Sequence, residues 1–195
     1  DSYQYLMRVA RSARTSSQKI QEAWNAYRTE IDYGIFPLDL PKVAACIESG
    51  YPAQIYHVAF RNNAFDTHVQ QPALHRRLLS YASDAITGFV RDLKRKAIDK
   101  NVVVLIHSEF GRRAGENANF GTDHGTANTM FLAGTEVKGG HYGNIPTLSK
   151  ISTNENVQFT TDFRRVYGSV LENWLKIDQL QVLDSKFETF NMFKA

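Results

Sequence analysis

Residues 102–128 read VVVLIHSEFGRRAGENANFGTDHGTAN. Val102 to Ile106 is a short apolar run, rich in β-branched residues, that ends at once in His107, Ser108 and Glu109. Such a run predicts a buried strand. A glycine-rich loop then leads to Asp123, His124 and Gly125. In open α/β sheets, ligands bind beyond the carboxyl ends of the strands. Glu109, Asp123 and His124 are therefore the first residues to which chemistry is assigned.

Upstream, Gln54 to Phe60 (QIYHVAF) predicts a second strand, with the turn-like Arg61 to Asn63 near its end. Between the two strands, Pro72 to Lys96 places apolar residues at Leu74, Leu78, Leu79, Ala82, Ala85, Ile86, Phe89, Val90 and Leu93, the spacing of an amphipathic helix. Strand, helix, strand is a βαβ unit, so the expected class is α/β with a mainly parallel sheet. The turn FDTH then sets Asp66 and His68 on the same edge as Glu109.

The remaining elements follow from caps and breakers. One or two helices are expected before residue 30, with polar residues 11–18 between them and Ser16 or Ser17 capping the second. Asp39, Leu40, Pro41 is the order of an N-cap followed by a first-turn proline, and Gly50 closes the short helix that follows. Thr129 to Leu132 predicts a strand. Thr161 or Asp162 caps a last helix that buries Val166, Tyr167, Val170, Leu171, Trp174 and Leu175. The tail, Val182 to Ala195, is expected on the surface.

With 195 residues, 43% of them hydrophobic, the chain suffices for one ordinary core, so residues 1–195 are read as a single domain with a helical lead-in over 1–32. The net charge of +3 is spread among acids, and the basic run Arg91 to Lys100 reads as a helix end; no nucleic-acid partner is expected. No apolar run approaches the ~20 residues that cross a bilayer. The one cysteine, Cys46, reads as a small core residue. The chain opens on Asp1 and shows no signal peptide, so a leader or a preceding portion is expected to have been removed.

Asp66, His68, Glu109, Asp123 and His124 come from three strand ends. Carboxylates with imidazoles and no thiol are the donor set of a hydrolytic divalent-metal site, suited to zinc, manganese or iron and less to magnesium. In an extended segment the Asp-x-His spacing puts both side chains on one side. Arg112 and Arg113 follow a glycine beside this set, and an arginine there clamps a phosphate or sulfate. The competing reading pairs them with Glu116 or Asp162. A further reading has no metal at all, with Asp66, Glu109 and Asp123 paired to Arg61, Arg112 and Arg113. Among the other histidines, His57 reads as packed, His75 as a capping or exposed residue, His141 as an exposed loop residue, and His107 as open between structure and function.

FDTHVQQ before a long helix, SEFGRR with Glu116-Asn117 after it, GTDHGTAN, VKGGHYG and TDFRRVYGSVLENWL together resemble the DUF1501 family over residues 33–193. That family is related to the alkaline phosphatase and sulfatase superfamily. The resemblance implies a three-layer α/β sandwich of the alkaline phosphatase type, of which this chain is the C-terminal portion. It also implies an extracytoplasmic location, periplasmic or secreted, because many members carry a twin-arginine export signal. Within the superfamily, Asp66 and His68 resemble the first ligand pair, Glu109 the first member of an Asp-His pair, and His124 the later histidine. Phe110 stands where that pair has its histidine, and the nucleophile has no counterpart in residues 1–60. The implied activity is metal-dependent hydrolysis of phosphate or sulfate esters, with Arg112 holding the anion and the missing portion supplied by the same or another chain. The alternative is a non-catalytic binding or structural protein that retains the fold.

Overall fold

The structure is a computed structural model that describes residues 2–60, 63–149, 151–152 and 154–194. It is 42% helical, and among the described residues the strands form two small antiparallel sheets of two strands each. The expected three-layer sandwich with a mainly parallel sheet is therefore not the architecture. The chain divides into two compact units, Asp1–Asp66 with Ala73–Asp99, and Thr67–Pro72 with Lys100–Ala195.

The first unit is helical. Helix α1 spans Ser2–Ala26 without interruption, so residues 11–18 are helical and Ser16 and Ser17 lie mid-helix, not at a cap. Mid-helix serine costs only about 0.5 kcal/mol relative to alanine, and the Ala, Leu, Met, Arg and Gln around it carry the helix through. α2 spans Leu40–Glu48, with Asp39 at its N-cap position, a proline in its first turn and Gly50 beyond its end at φ +70°. Without a Cβ, Gly50 takes that left-handed conformation at no steric cost. α3 runs Gln71–Arg95 and buries Ala85, Phe89 and Leu93, each of the larger two contributing roughly 1.5–3 kcal/mol of apolar burial. Ala44, Ala45 and Cys46 of α2 and Ala23 of α1 are buried as well. Burial raises the Cys46 thiol pKa, which disfavours its thiolate.

A buried carboxylate organises this unit. Asp92 of α3 is fully buried and accepts hydrogen bonds from the hydroxyls of Tyr27, Tyr33 and Thr29, the last two at 2.8 Å. The chain leaving α1 is thus tied back to α3 at three points. Burial, reinforced by hydrogen bonding to Asp92, pushes both phenols well above their ordinary pKa.

Residues 54–60 form no ladder, Ile55 is largely exposed and His57 is exposed, so the expected first strand and its packed histidine are absent. A strand exists only with a partner edge, and among the described residues this segment meets none. That removes the βαβ unit.

In the second unit, β1 (Val104–Ile106) pairs antiparallel with β4 (Phe131–Ala133), Leu105 opposite Leu132. β2 (Gly111–Arg112) pairs antiparallel with β3 (His124–Gly125). α4 (Phe163–Ser169) starts at Asp162, whose side chain accepts from the Arg164 amide at 2.9 Å. Hydrogen bonds from Arg164 also hold the Asp162 carboxyl below its usual pKa. The helix widens to a π-helix at Val170–Leu175, and Lys176 ends it in the left-handed region. The residues expected on its buried face are only half-buried; Gly168 and Ser169 are the buried ones. α5 covers Leu180–Leu183.

Most of the tail is exposed or half-buried, as expected, but its end enters the core. Met192 and Phe193 are buried, Phe193 bridges to Val137, and its ring stacks on Trp174 at 5.5 Å. Gln179, also buried, gathers the same region by donating to Glu172 Oε1 and Phe187 O and accepting from the Phe187 amide.

Two predictions follow from the Asp92 cluster. Asp92→Ala leaves three hydroxyls without their acceptor and is expected to lower unfolding free energy by about 2–4 kcal/mol in urea titrations followed by circular dichroism. Because the fold raises the two phenol pKa values, their contribution is complete below the unfolded phenol value of about 10 and declines as pH climbs beyond it. Stability measured from pH 8 upward should therefore fall above roughly 10. The double variant Tyr27→Phe, Tyr33→Phe should show a flatter alkaline limb.

Candidate metal centre

Asp66, His68 and His124 each offer a donor atom within 4.8 Å of the others. Asp66 and His68 lie two residues apart in a segment outside any helix or strand, with their donor atoms on a shared side. Asp66 ends the first stretch of the first unit, and Thr67 follows it in the second.

His124 arrives from β3. Its Nε2 lies 3.1 Å from Nε2 of His68. A tetrahedral ion with metal–nitrogen bonds of 2.0–2.1 Å holds two nitrogens roughly 3.3–3.4 Å apart, so the two imidazoles already stand near the spacing that one ion requires. His68 Nδ1 lies 3.8 Å from Oδ1 of Asp123, which puts a carboxylate on the other side of that ring. Outer carboxylates of this kind orient metal-binding imidazoles.

The scaffold is mostly main chain. The amides of Gln70 and Gln71 donate to the carbonyls of Asn119 and Phe120 at 2.9 Å each, docking loop 117–121 onto the histidine-bearing segment. Asn117 donates to the carbonyl of His68 and to Asp123 Oδ1, both at 3.2 Å, and its own side-chain oxygen accepts from the amides of Asn119 and Gly121. A Cβ at Gly121 would lie 2.2 Å from the His68 carbonyl oxygen. At Gly111 it would lie 1.7 Å from the Ala127 carbonyl oxygen, and at Gly125 it would lie 2.6 Å from the Arg112 carbonyl carbon. The backbones meet so closely that only glycine fits.

Phe110, which stands where a histidine ligand was expected, packs its ring flat on His124 at 3.8 Å and 11°. It supports the imidazole and donates nothing. Arg112 lies over the same phenyl ring at 5.0 Å and donates to Thr122 O at 2.6 Å and Thr67 Oγ1 at 3.5 Å. These bonds tie its guanidinium to the protein. Glu109 is exposed, outside the donor group, and makes no ion pair among the described residues. Asp123 contributes through His68 and Asn117 and is likewise outside the group.

The competing ion pairs fare differently. Asp162 pairs with Arg164, and Arg113 makes no ion pair among the described residues, its Nε being buried without a hydrogen-bond partner. Arg61 lies outside the described residues. His107 is exposed, edge-on to Tyr167; His141 is exposed; the His75 ring meets Phe65 edge-on. Gln71, Thr67, Thr122 and Asn117, which shape the site, escaped sequence reasoning because uncharged polar residues carry no spacing signal; only the Asn at 117, between two glycines of the loop, hinted at a turn.

A family model described as "Protein of unknown function (DUF1501)" matches residues 47–186. The chain belongs to that family, and the match takes in the whole donor group from Asp66 to His124. No curated protein and no solved structure matches it. Among the described residues no helix is long and apolar enough to cross a membrane.

Gly111→Ala is expected to force β2 and β3 apart and to cost about 1–3 kcal/mol, the usual penalty of overpacking. Hydrogen exchange at the Arg113 amide, which bonds to Asp123 O at 3.0 Å, should accelerate with it. Gly139→Ala, whose Cβ meets nothing within 4 Å, serves as the neutral comparison.

Proposed function

We propose that Asp66, His68 and His124 bind one divalent transition-metal ion and that the chain uses it to hydrolyse phosphate or sulfate esters. The observation that carries this reading is the 3.1 Å separation of the two Nε2 atoms with an Asp66 donor in the same group. Two imidazoles and one carboxylate suit zinc, manganese or iron, and leave coordination positions open for water and an anionic substrate. A bound ion of this kind supplies Lewis acidity, drawing the pKa of a coordinated water toward about 7. The chain's own part is to present both imidazoles through Nε2, to offset charge through Asp66, and to keep the His124 ring fixed against Phe110. The kinship with alkaline phosphatases and sulfatases, the extracytoplasmic location and an anionic ester as substrate belong to the same proposal and rest on motif order.

One observation favours the second reading, a binding protein without turnover. Phe110, where the superfamily that the motifs resemble has a histidine ligand, is a phenyl ring stacked on His124. Such a site has fewer donors for a second ion.

Calorimetric titration with Zn²⁺ and Mn²⁺, elemental analysis of the isolated protein and an aryl phosphate and aryl sulfate panel test both readings. The double variant His68→Ala, His124→Ala is expected to lose stoichiometric metal. Full retention of metal by that variant overturns the site; metal binding with no ester turnover moves the conclusion to the binding protein.

A further inference from the structure

We propose that Gln71 is a positioning residue for the metal group, setting the separation of His68 and His124 from outside the donor set. The inference rests on the reading of that group as a metal centre. The Gln71 amide is engaged at both ends. Its Nε2 donates to Thr67 O and Thr67 Oγ1 at 3.0 Å each, and its Oε1 accepts from Thr122 Oγ1 at 2.8 Å. Thr67 lies between Asp66 and His68; Thr122 lies two residues before His124. One amide therefore spans the two segments that carry the donors.

Thr67 is buried between an exposed Asp66 and a half-buried His68, so its side chain turns away from theirs. Gln71 grips the segment from behind. Arg112 closes the loop of contacts from the other direction, through Thr122 O and Thr67 Oγ1. Gln71 is itself anchored, since its main-chain amide donates to Phe120 O at 2.9 Å. The spacer is thus held at its main chain as well as at both ends of its side chain, and a site supported this way keeps its geometry before any ligand arrives.

Only an amide does this. Glutamate of the same length accepts but does not donate, and methionine does neither. Loss of a group that orients ligands typically weakens metal binding about 10–100-fold.

The test is Co²⁺ titration of the full chain, followed by the visible absorption of the bound ion, with Zn²⁺ affinity taken by competition. Gln71→Met and Gln71→Glu are each expected to weaken Zn²⁺ binding by about 10–100-fold and to alter the cobalt spectrum, which reports coordination geometry. Gln179→Met, which removes the side-chain hydrogen bonds of a buried amide elsewhere in the same unit, should lower the melting temperature and leave affinity and spectrum unchanged. Wild-type affinity and spectrum in both Gln71 variants would overturn the positioning role while the metal centre stood. Absence of Zn²⁺ and Co²⁺ binding by the unaltered chain would overturn both. Should Gln71→Met fail to fold, the isosteric Gln71→Glu carries the comparison.

Discussion

The second unit depends on the docking of loop 117–121 against residues 68–71. Two amides of the histidine-bearing segment donate to two carbonyls of the loop, and Gly121 lets the His68 carbonyl approach where any side chain would collide. Neither two-stranded sheet is large enough to impose such an arrangement, since pairs of short strands are marginal on their own. The main-chain contacts determine where His68 stands. The β2–β3 ribbon then carries His124 to it, and Asn117 holds the turn between them.

A division of labour runs through the residues around that contact. Charged groups beside the donors also make structural contacts. Arg112 is spent on Thr122 and Thr67 as well as on the face of Phe110, and Asp123 faces the outer nitrogen of His68. The first unit shows the same habit: Asp92, a buried acid, serves as the acceptor for three hydroxyls and fastens the chain after α1 to α3. In both places a carboxylate or guanidinium replaces the apolar contact that a larger core would have supplied.

What was legible in the sequence was local. α2 with Asp39 and Gly50, α3 with its apolar stripe, and α4 with Asp162 were readable because caps and 3.6-residue periodicity act within a few residues. The sheet was not, because pairing is decided by partners far along the chain. QIYHVAF has the composition of a strand but no edge to join, while Val104–Ile106 turns out to pair antiparallel with Phe131–Ala133. The tail misled for a related reason: three phenylalanines at regular intervals say nothing about Trp174 or Val137 waiting to receive Phe193. Of the five expected donors, Asp66, His68 and His124 come together, and the local Asp-x-His spacing accounts for the first two. The third, His124, stood out by its place in the glycine-rich loop after Val102–Ile106, although the parallel-sheet edge that argued for it is absent among the described residues. Thr67, Gln71 and Thr122 could not be singled out, because their role exists only once the two segments are adjacent.

The glycines at 111, 121 and 125 carry a consequence for tracing ancestry. Each is required by a carbonyl pressed against its α-carbon rather than by a turn, so no compensating change in a neighbouring side chain can release it. Phe110 or Glu109 can drift without disturbing the backbone, but these three positions cannot. Distant relatives of this chain are therefore better sought by three glycines at intervals of ten and four, following a short acid–histidine segment, than by the acidic and basic residues that first draw the eye.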